Sequence, residues 1–165
     1  MSITPRSAAG QTTADVGHTG TAARHEVSRL LRMSQEELDR LFREGEPDPI
    51  PDGRADGTLI VAPGTALSPP IAELVRLLAW QGKIFDAKRG VLKNRVLPFG
   101  LSAVVAQVRK EPSRLDGREC IALDYARTSL VARSIRDEIR RIGPGQYLGK
   151  AYWRGIRLID FVLEF

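Results

Sequence analysis

From residue 82 to the C-terminus the chain is cut into short apolar runs separated by turn-forming residues. That rhythm limits the folds open to it more than any other feature. The runs are "GKIFD" (82–86), "VLKNRVL" (91–97), "AVVAQVRK" (103–110), "RECIALDY" (118–125), "QYLGKAYW" (146–153) and "RLIDFVLEF" (157–165). The joins "AKRG", "PFGLS" and "EPSRLDG" carry the Gly, Pro, Asp and Ser that turns use. In the last run Ile159, Phe161, Leu163 and Phe165 alternate with Leu158, Asp160, Val162 and Glu164. A period of two marks a strand with one core face. With "GTLIV" (57–61) added, seven or eight short strands follow one another. Consecutive antiparallel strands that must hide their edges favour closure into an up-and-down β-barrel. A barrel of about eight strands either fills its interior or holds one small ligand.

Two helical segments accompany the strands. Val27, Leu30 and Leu31 form one stripe, and Leu38, Leu41 and Phe42 a second. Between them "SQEE" supplies a capping box, with Ser34 as cap, Glu37 as its reciprocal partner, and Gly45 as the C-terminal stop. The expected organisation is a disordered tail over 1–25, a helical segment over 26–45, and a barrel over 50–165. "EPDPIPDG" joins the last two as an extended linker, because three prolines in five residues cannot continue a helix. "SPPIAELVRLLAW" predicts one helix inserted in the barrel, capped by Ser68, with Ile71, Leu74, Val75 and Leu78 on one face.

Charge is unevenly spread. The chain carries +5 overall, yet Arg127 to Arg157 holds eight Lys or Arg against Asp137 and Glu138, a local +6. Such a field favours anionic partners, and arginine suits planar bidentate pairing. Within it, Ile135, Ile139 and Ile142 have helical spacing, while "IRDEIRRI" and "QYLGKAYW" also read as two arms of a hairpin around "GPG". As a strand, one face carries Ile135, Asp137, Ile139 and Arg141, the other Arg136, Glu138, Arg140 and Ile142. Either face then takes charge into the barrel, where it must be paired, and an Arg is the natural partner for Asp137 or Glu138.

Three stretches resemble the small bacterial proteins built from a GXWXG segment followed by a DUF4334 domain. "GRADG" (53–57) has the spacing of the first motif, with Ala55 where that family has tryptophan. "LAWQGKIFD" (78–86) is similar to its W-[YQ]-G-K-x-F segment, and "RDEIRRIGPGQYLG" (136–149) to its C-terminal hairpin. The resemblance implies a lipocalin-like barrel and no established chemistry. It also favours strand over 137–142, with any helix confined to 128–134.

No P-loop, G-x-G-x-x-G after a strand, H-E-x-x-H or G-x-S-x-G occurs. Cys120 is the one cysteine and sits in an apolar run, so no internal disulfide can form and a buried thiol is expected. His18 and His25 lie in or beside the tail, which leaves no Cys–His metal site and no His-activated nucleophile. We expect no cofactor and no metal. Without a run of 18 apolar residues or the apolar core of a signal peptide, we expect a cytoplasmic protein without a membrane span.

The best constellation is Asp124, Tyr125 and Asp137 as candidate catalytic groups, with Trp80, Lys83, Asn94, Arg127, Arg140 and Tyr147 as candidate ligand-binding groups. Carboxylate, phenol and guanidinium in an apolar barrel can orient a ligand's polar end or move a proton. The plainer alternative makes Asp137 and Arg140 a structural pair closing the barrel. The leading expectation is a barrel that binds a small hydrophobic or amphipathic ligand, anionic for preference. The alternatives are a cofactor-free isomerase, cyclase or decarboxylase in the same cavity, and a nucleic-acid-binding module using 127–157. The last is disfavoured because acids interrupt the basic run and no nucleic-acid motif is present.

Overall fold

Alternating strands joined by tight turns can satisfy every edge only by closing on themselves. A computed structural model describes residues 27–47, 49–61, 82–94, 105–125 and 134–165. Eight antiparallel strands close into a barrel in sequence order. They are β1 (Gly53–Ile60), β2 (Lys83–Asp86), β3 (Val91–Asn94), β4 (Val105–Pro112), β5 (Glu119–Asp124), β6 (Ile135–Gly143), β7 (Gln146–Trp153) and β8 (Ile156–Glu164). β1 supplies the closing stagger. Its first residues pair with β2 (Gly53 with Phe85, Ala55 with Lys83), and its later ones with β8 (Asp56 with Glu164, Ile60 with Asp160).

The ambiguous segment is strand. Residues 135–143 pair with β7 and residues 136–139 also with β5, and the β6–β7 hairpin turns at residues 144–145. Helical spacing of three isoleucines there is overridden by ladder hydrogen bonds on two sides. β7 coincides with its predicted span, whereas β1 begins four residues earlier than predicted, at Gly53. Arg154 and Gly155, both at positive φ, make the two-residue turn into β8. The tail over 1–25, the inserted helix of 68–80 and the 128–134 helix alternative (Ser134 apart) lie outside the described residues.

The barrel's two ends differ. At one end the turns are short: 87–90, 113–118 and 144–145. At the other, β1–β2, β3–β4 and β5–β6 are joined by much longer stretches of chain, 61–82, 95–104 and 125–134. Inside, Phe85, Leu92, Val108, Leu123, Ile139 and Phe161 belong to one buried cluster. Gly149 and Phe161 are ladder partners, and a Cβ at Gly149 would lie 2.2 Å from the Phe161 ring. The glycine therefore leaves the space the ring occupies.

Outside, a helix covers part of the wall. α1 (Gln35–Glu44) starts at the expected capping box: Glu37 N–H donates to the Ser34 hydroxyl (3.3 Å) and Ser34 N–H to the Glu37 carboxylate (2.8 Å). Leu38 and Phe42, with Leu30 from the preceding helical turn, bury against Cys120, Leu148, Val162 and Ile60. Gly45 ends the helix as expected, in an extended rather than a left-handed conformation. Its φ is −67°, and a Cβ there would meet Arg140 Cβ and the Arg141 carbonyl at 3.0 Å. The glycine lets the chain leave α1 in close contact with β6. Glu46 and Arg141 then exchange two backbone hydrogen bonds (3.0 and 2.9 Å), so the proline-rich linker starts pinned to the barrel. No helix among the described residues is long and apolar enough to cross a membrane.

Candidate functional site

Three polar side chains meet inside the barrel, at the end with the long connections. Lys83 opens β2, Tyr125 follows the last residue of β5, and Asp137 is the third residue of β6. Lys83 Nζ donates to Tyr125 Oη (2.6 Å) and to Asp137 Oδ2 (2.9 Å). Tyr125 Oη donates to the same Asp137 oxygen (2.8 Å). All three residues are buried, Lys83 completely. The Lys83 ammonium also lies 5.4 Å from the Tyr125 ring centre and 5.6 Å from that of Phe161, within cation–π range.

Local backbone explains how a lysine enters this space. Gly82, at φ +122°, precedes it, and a Cβ there would come within 2.0 Å of the Ala55 carbonyl oxygen. β2 thus begins hard against β1, with Lys83 directed inward by the strand's alternation. Burial lowers the Lys83 pKa by disfavouring the charged form, and the Asp137 carboxylate opposes that shift without cancelling it.

Two predicted site residues, Tyr125 and Asp137, and one predicted ligand-binding residue, Lys83, are therefore brought together. Asn94 is the ladder partner of Lys83, and only its place in that ladder is described. Trp80 and Arg127 lie outside the described residues. The remaining three are elsewhere. Asp124 faces the outer wall and pairs with Arg109 (3.2 Å). Tyr147 is inside but at the opposite end, edge-on to Phe165 with ring centres 5.4 Å apart. It pairs with Arg141, four residues along β6 from Asp137, or about 13 Å of strand.

Arg140 corrects the expectation that it partners Asp137. Strand alternation puts residues 137 and 140 on opposite faces. Arg140 is fully buried on the outer wall, beneath α1. Its guanidinium is bidentate to Asp116 (2.8 and 2.8 Å) and donates to the carbonyls of Glu119 (3.0 Å), Arg118 (2.9 Å) and Phe42 (3.2 Å). Those bonds use all five N–H donors of an arginine, and the plane stacks over Phe42 at 4.7 Å. A saturated guanidinium is a clamp joining β6, the β4–β5 turn and α1, with no donor left for a ligand.

Four more described cations of the basic run are similarly occupied. Arg136 pairs with Glu111 and Glu138, Arg141 with Glu46 (3.0 Å), and Arg157 with Asp39. Lys150, fully buried under α1, sits between Asp39 (2.6 Å) and Asp160 (2.8 Å). The Asp39 carboxyl is pushed up by burial but pulled further down by Lys150 and Arg157, ending below its usual range. Asp116 is lowered chiefly by its hydrogen bonds with Arg140. Among the described residues, five cations of the run are thus met by acids from α1, β4, the β4–β5 turn, β6, the linker and β8, while the Arg154 guanidinium lies over the Trp153 ring.

The sequence suggests an Arg partner for Glu138, and Arg136 fills that role (2.9 Å). The rest of this outer network was missed because its other acids lie far along the chain, although the alternation of β8 puts Asp160 on the face opposite the core residues Ile159 and Phe161. A surface groove of about 460 Å³ lies along the end of α1, bounded by Leu41, Glu44, Glu46, Arg141, Ile142 and Pro144. It is at the short-turn end and includes none of the predicted site residues. Among the described residues, no group of three or more His, Cys, Asp or Glu is arranged to hold a metal.

No family model matches the chain, and no curated protein matches it significantly. A solved structure does. The "crystal structure of protein from Thermomonospora curvata" aligns with a TM-score of 0.57 and 19% identity, covering 87% of this chain and 97% of that one. At that identity the likeness speaks for the fold alone, and it supports the closed β-barrel.

Proposed function

We propose that this protein binds a small hydrophobic or amphipathic ligand inside the barrel, with the ligand's polar end at Lys83, Tyr125 and Asp137. The observation that carries this reading is the buried Lys83–Tyr125–Asp137 triangle at the long-connection end. Eight-stranded barrels are of a size to hold one small molecule, and a few convergent polar groups in an apolar lining are what such sites use for orientation. The charge balance refines the ligand class. Lys83 and Asp137 together are neutral, so the triangle favours a neutral polar head, a carbonyl or hydroxyl, over the anion expected from the arginine content.

Membership of the GXWXG/DUF4334-type proteins belongs to the same proposal. Its support is the three matching stretches, two of whose glycines, Gly82 and Gly149, sit where a side chain would collide. A cytoplasmic setting belongs to it as well, since a single buried cysteine needs no oxidising compartment.

Native mass spectrometry of the intact protein taken directly from cells tests the reading. A retained small molecule is expected. A clean spectrum, together with no thermal stabilisation by fatty acids, isoprenoids or polyketides, would remove it. A second reading, a cofactor-free isomerase, cyclase or decarboxylase, is favoured by the contiguous hydrogen bonds from Lys83 through Tyr125 to Asp137, which offer a proton a short path. Once the ligand is known, turnover by the protein that disappears in a folded Asp137→Asn variant would select it. The nucleic-acid reading has less support, because Arg136, Arg140, Arg141, Lys150 and Arg157 already have carboxylate partners.

A further inference from the structure

A lysine is an uncommon choice for an apolar interior, because its charge is costly there. The chain has five lysines. Lys88, Lys93 and Lys110 are exposed. Lys150 is buried, but outside the bore and held between two carboxylates. Lys83 alone combines full burial on the inner face with a phenol and a carboxylate on its own nitrogen. A neutral polar head could be held by hydrogen bonds from Ser, Asn or Tyr without any ion pair, so binding alone does not account for an amine here.

We propose that Lys83 captures an aldehyde or ketone in the barrel as a reversible imine, with Asp137 and Tyr125 handling the protons. This rests on the reading of the barrel as a small-molecule binder and names its ligand class. Lys83 first passes a proton to Asp137, 2.9 Å away, leaving a neutral amine. The nitrogen lone pair adds to the carbonyl carbon. The oxygen takes a proton from Tyr125, and the phenolate recovers one from the new ammonium, giving a carbinolamine. Asp137 returns its proton to the carbinolamine hydroxyl, which leaves as water as the nitrogen lone pair forms the C=N bond. The products are a protonated imine, an ionised Asp137 and one water. The imine carries the charge the ammonium carried, so the ion pair with Asp137 survives the reaction and no charge is stranded in the bore. Burial that lowers the lysine's proton affinity makes the neutral amine easier to reach, as in other lysines activated by desolvation.

The test uses the full, unsubstituted chain with decanal and sodium cyanoborohydride at neutral pH, followed by peptide mapping by mass. Hydride reduces the imine to a stable amine, so Lys83 should gain the mass of decanal less one oxygen. Its yield should exceed that at Lys88, Lys93 or Lys110 severalfold, because burial makes the neutral amine of Lys83 easier to reach. Without reductant the adduct should be lost on denaturation. 1-Decanol, which has the same chain length and forms no imine, should slow labelling at Lys83 and leave the exposed lysines unchanged. Labelling spread over the exposed lysines, with none at Lys83, overturns the inference. Retention of 1-decanol or decanoate in a native spectrum with Lys83 unlabelled leaves the binding reading standing and removes the imine. Retention of none of the three, with Lys83 unlabelled, counts against both.

Discussion

Replacing Lys83 by Met asks whether the inner triangle exists to hold the barrel together. The pair is desolvated, with the Lys83 and Asp137 side chains 0% and 3% exposed and 2.9 Å apart. At an effective dielectric constant of about 20, that separation gives a gross attraction of about 6 kcal/mol, offset by several kcal/mol of desolvation for each ion. The net worth of the pair is small, but removing one member strands the other. Lys83→Met should therefore cost about 3–5 kcal/mol, read as urea midpoint or melting temperature. The double variant Lys83→Met/Asp137→Leu should recover most of the loss, because two apolar side chains of similar volume need no partner. A pH series adds a signature. The unfolded chain holds the Lys83 proton up to the ordinary value of 10.5, while the folded chain releases it lower. Wild-type stability should thus gain, relative to Lys83→Met, as pH rises through that window, since the unfolded state binds more protons there. Two outcomes would refute this reasoning: Lys83→Met within about 1 kcal/mol of wild type, or a double variant no better than the single. A stable double variant that retains a co-purifying small molecule as well as wild type does would show that the triangle only fills space.

Other consequences are checked in the same apparatus. Gly149→Ala forces a Cβ to within 2.2 Å of the Phe161 ring and should cost about 3 kcal/mol, with Gly149→Ala/Phe161→Leu less damaged than the sum of the two singles. Burial, helped by Glu138, pushes the Cys120 thiol from 9.0 up to about 12, so a thiol reagent at pH 8 should find roughly 10³-fold fewer thiolates than in a free cysteine, and labelling should follow global unfolding. Rapid labelling of the native chain would contradict that. Asp39 and Asp116 are held below their usual value of 3.8, so their stabilisation is full above that pH and is lost as pH falls through their lowered values. Stability should fall on that acid limb, and Asp116→Asn should make the fall shallower; an unchanged slope would mean that Arg140 does not depend on Asp116.

The barrel was legible because its signals are local. Turn residues, strand-length apolar runs and the alternation of 157–165 each report on a few neighbouring residues, and together they require closure. The capping box at Ser34 and Glu37 is local in the same way. The site was legible only as a set of residue types. Lys83 and Asp137 are 54 positions apart, and neither flanking sequence names the other. Pairing Asp137 with Arg140 relied on proximity along the chain, although period-two alternation already separates positions 137 and 140. Asp116 looked like turn chemistry in "EPSRLDG" and is also the bidentate partner of a buried arginine. Asp39 lies off the stripe of Leu38, Leu41 and Phe42 that the sequence picks out, yet it is shared by Lys150 and Arg157. Side chains serving two elements at once leave no trace in a pattern read one element at a time.

The division of charge between the two walls argues for what the inner triangle is. On the outer wall each buried cation joins separate pieces of the fold. Arg140 ties β6 to the β4–β5 turn and α1, and Lys150 ties β7 to α1 and β8. Those pairs dock a helix that would otherwise rest on a modest apolar strip. The inner triangle has no comparable task. β2, β5 and β6 are already fixed by their ladders, and closure is made by the β1–β8 pairing. A buried ion pair is weak evidence for stability, since apolar replacements often serve as well or better. Lys83 and Asp137 therefore hold their place in the bore at a cost that the architecture does not require. A cost of that kind is expected of a functional site, and it falls at the end of the barrel where the long connections begin.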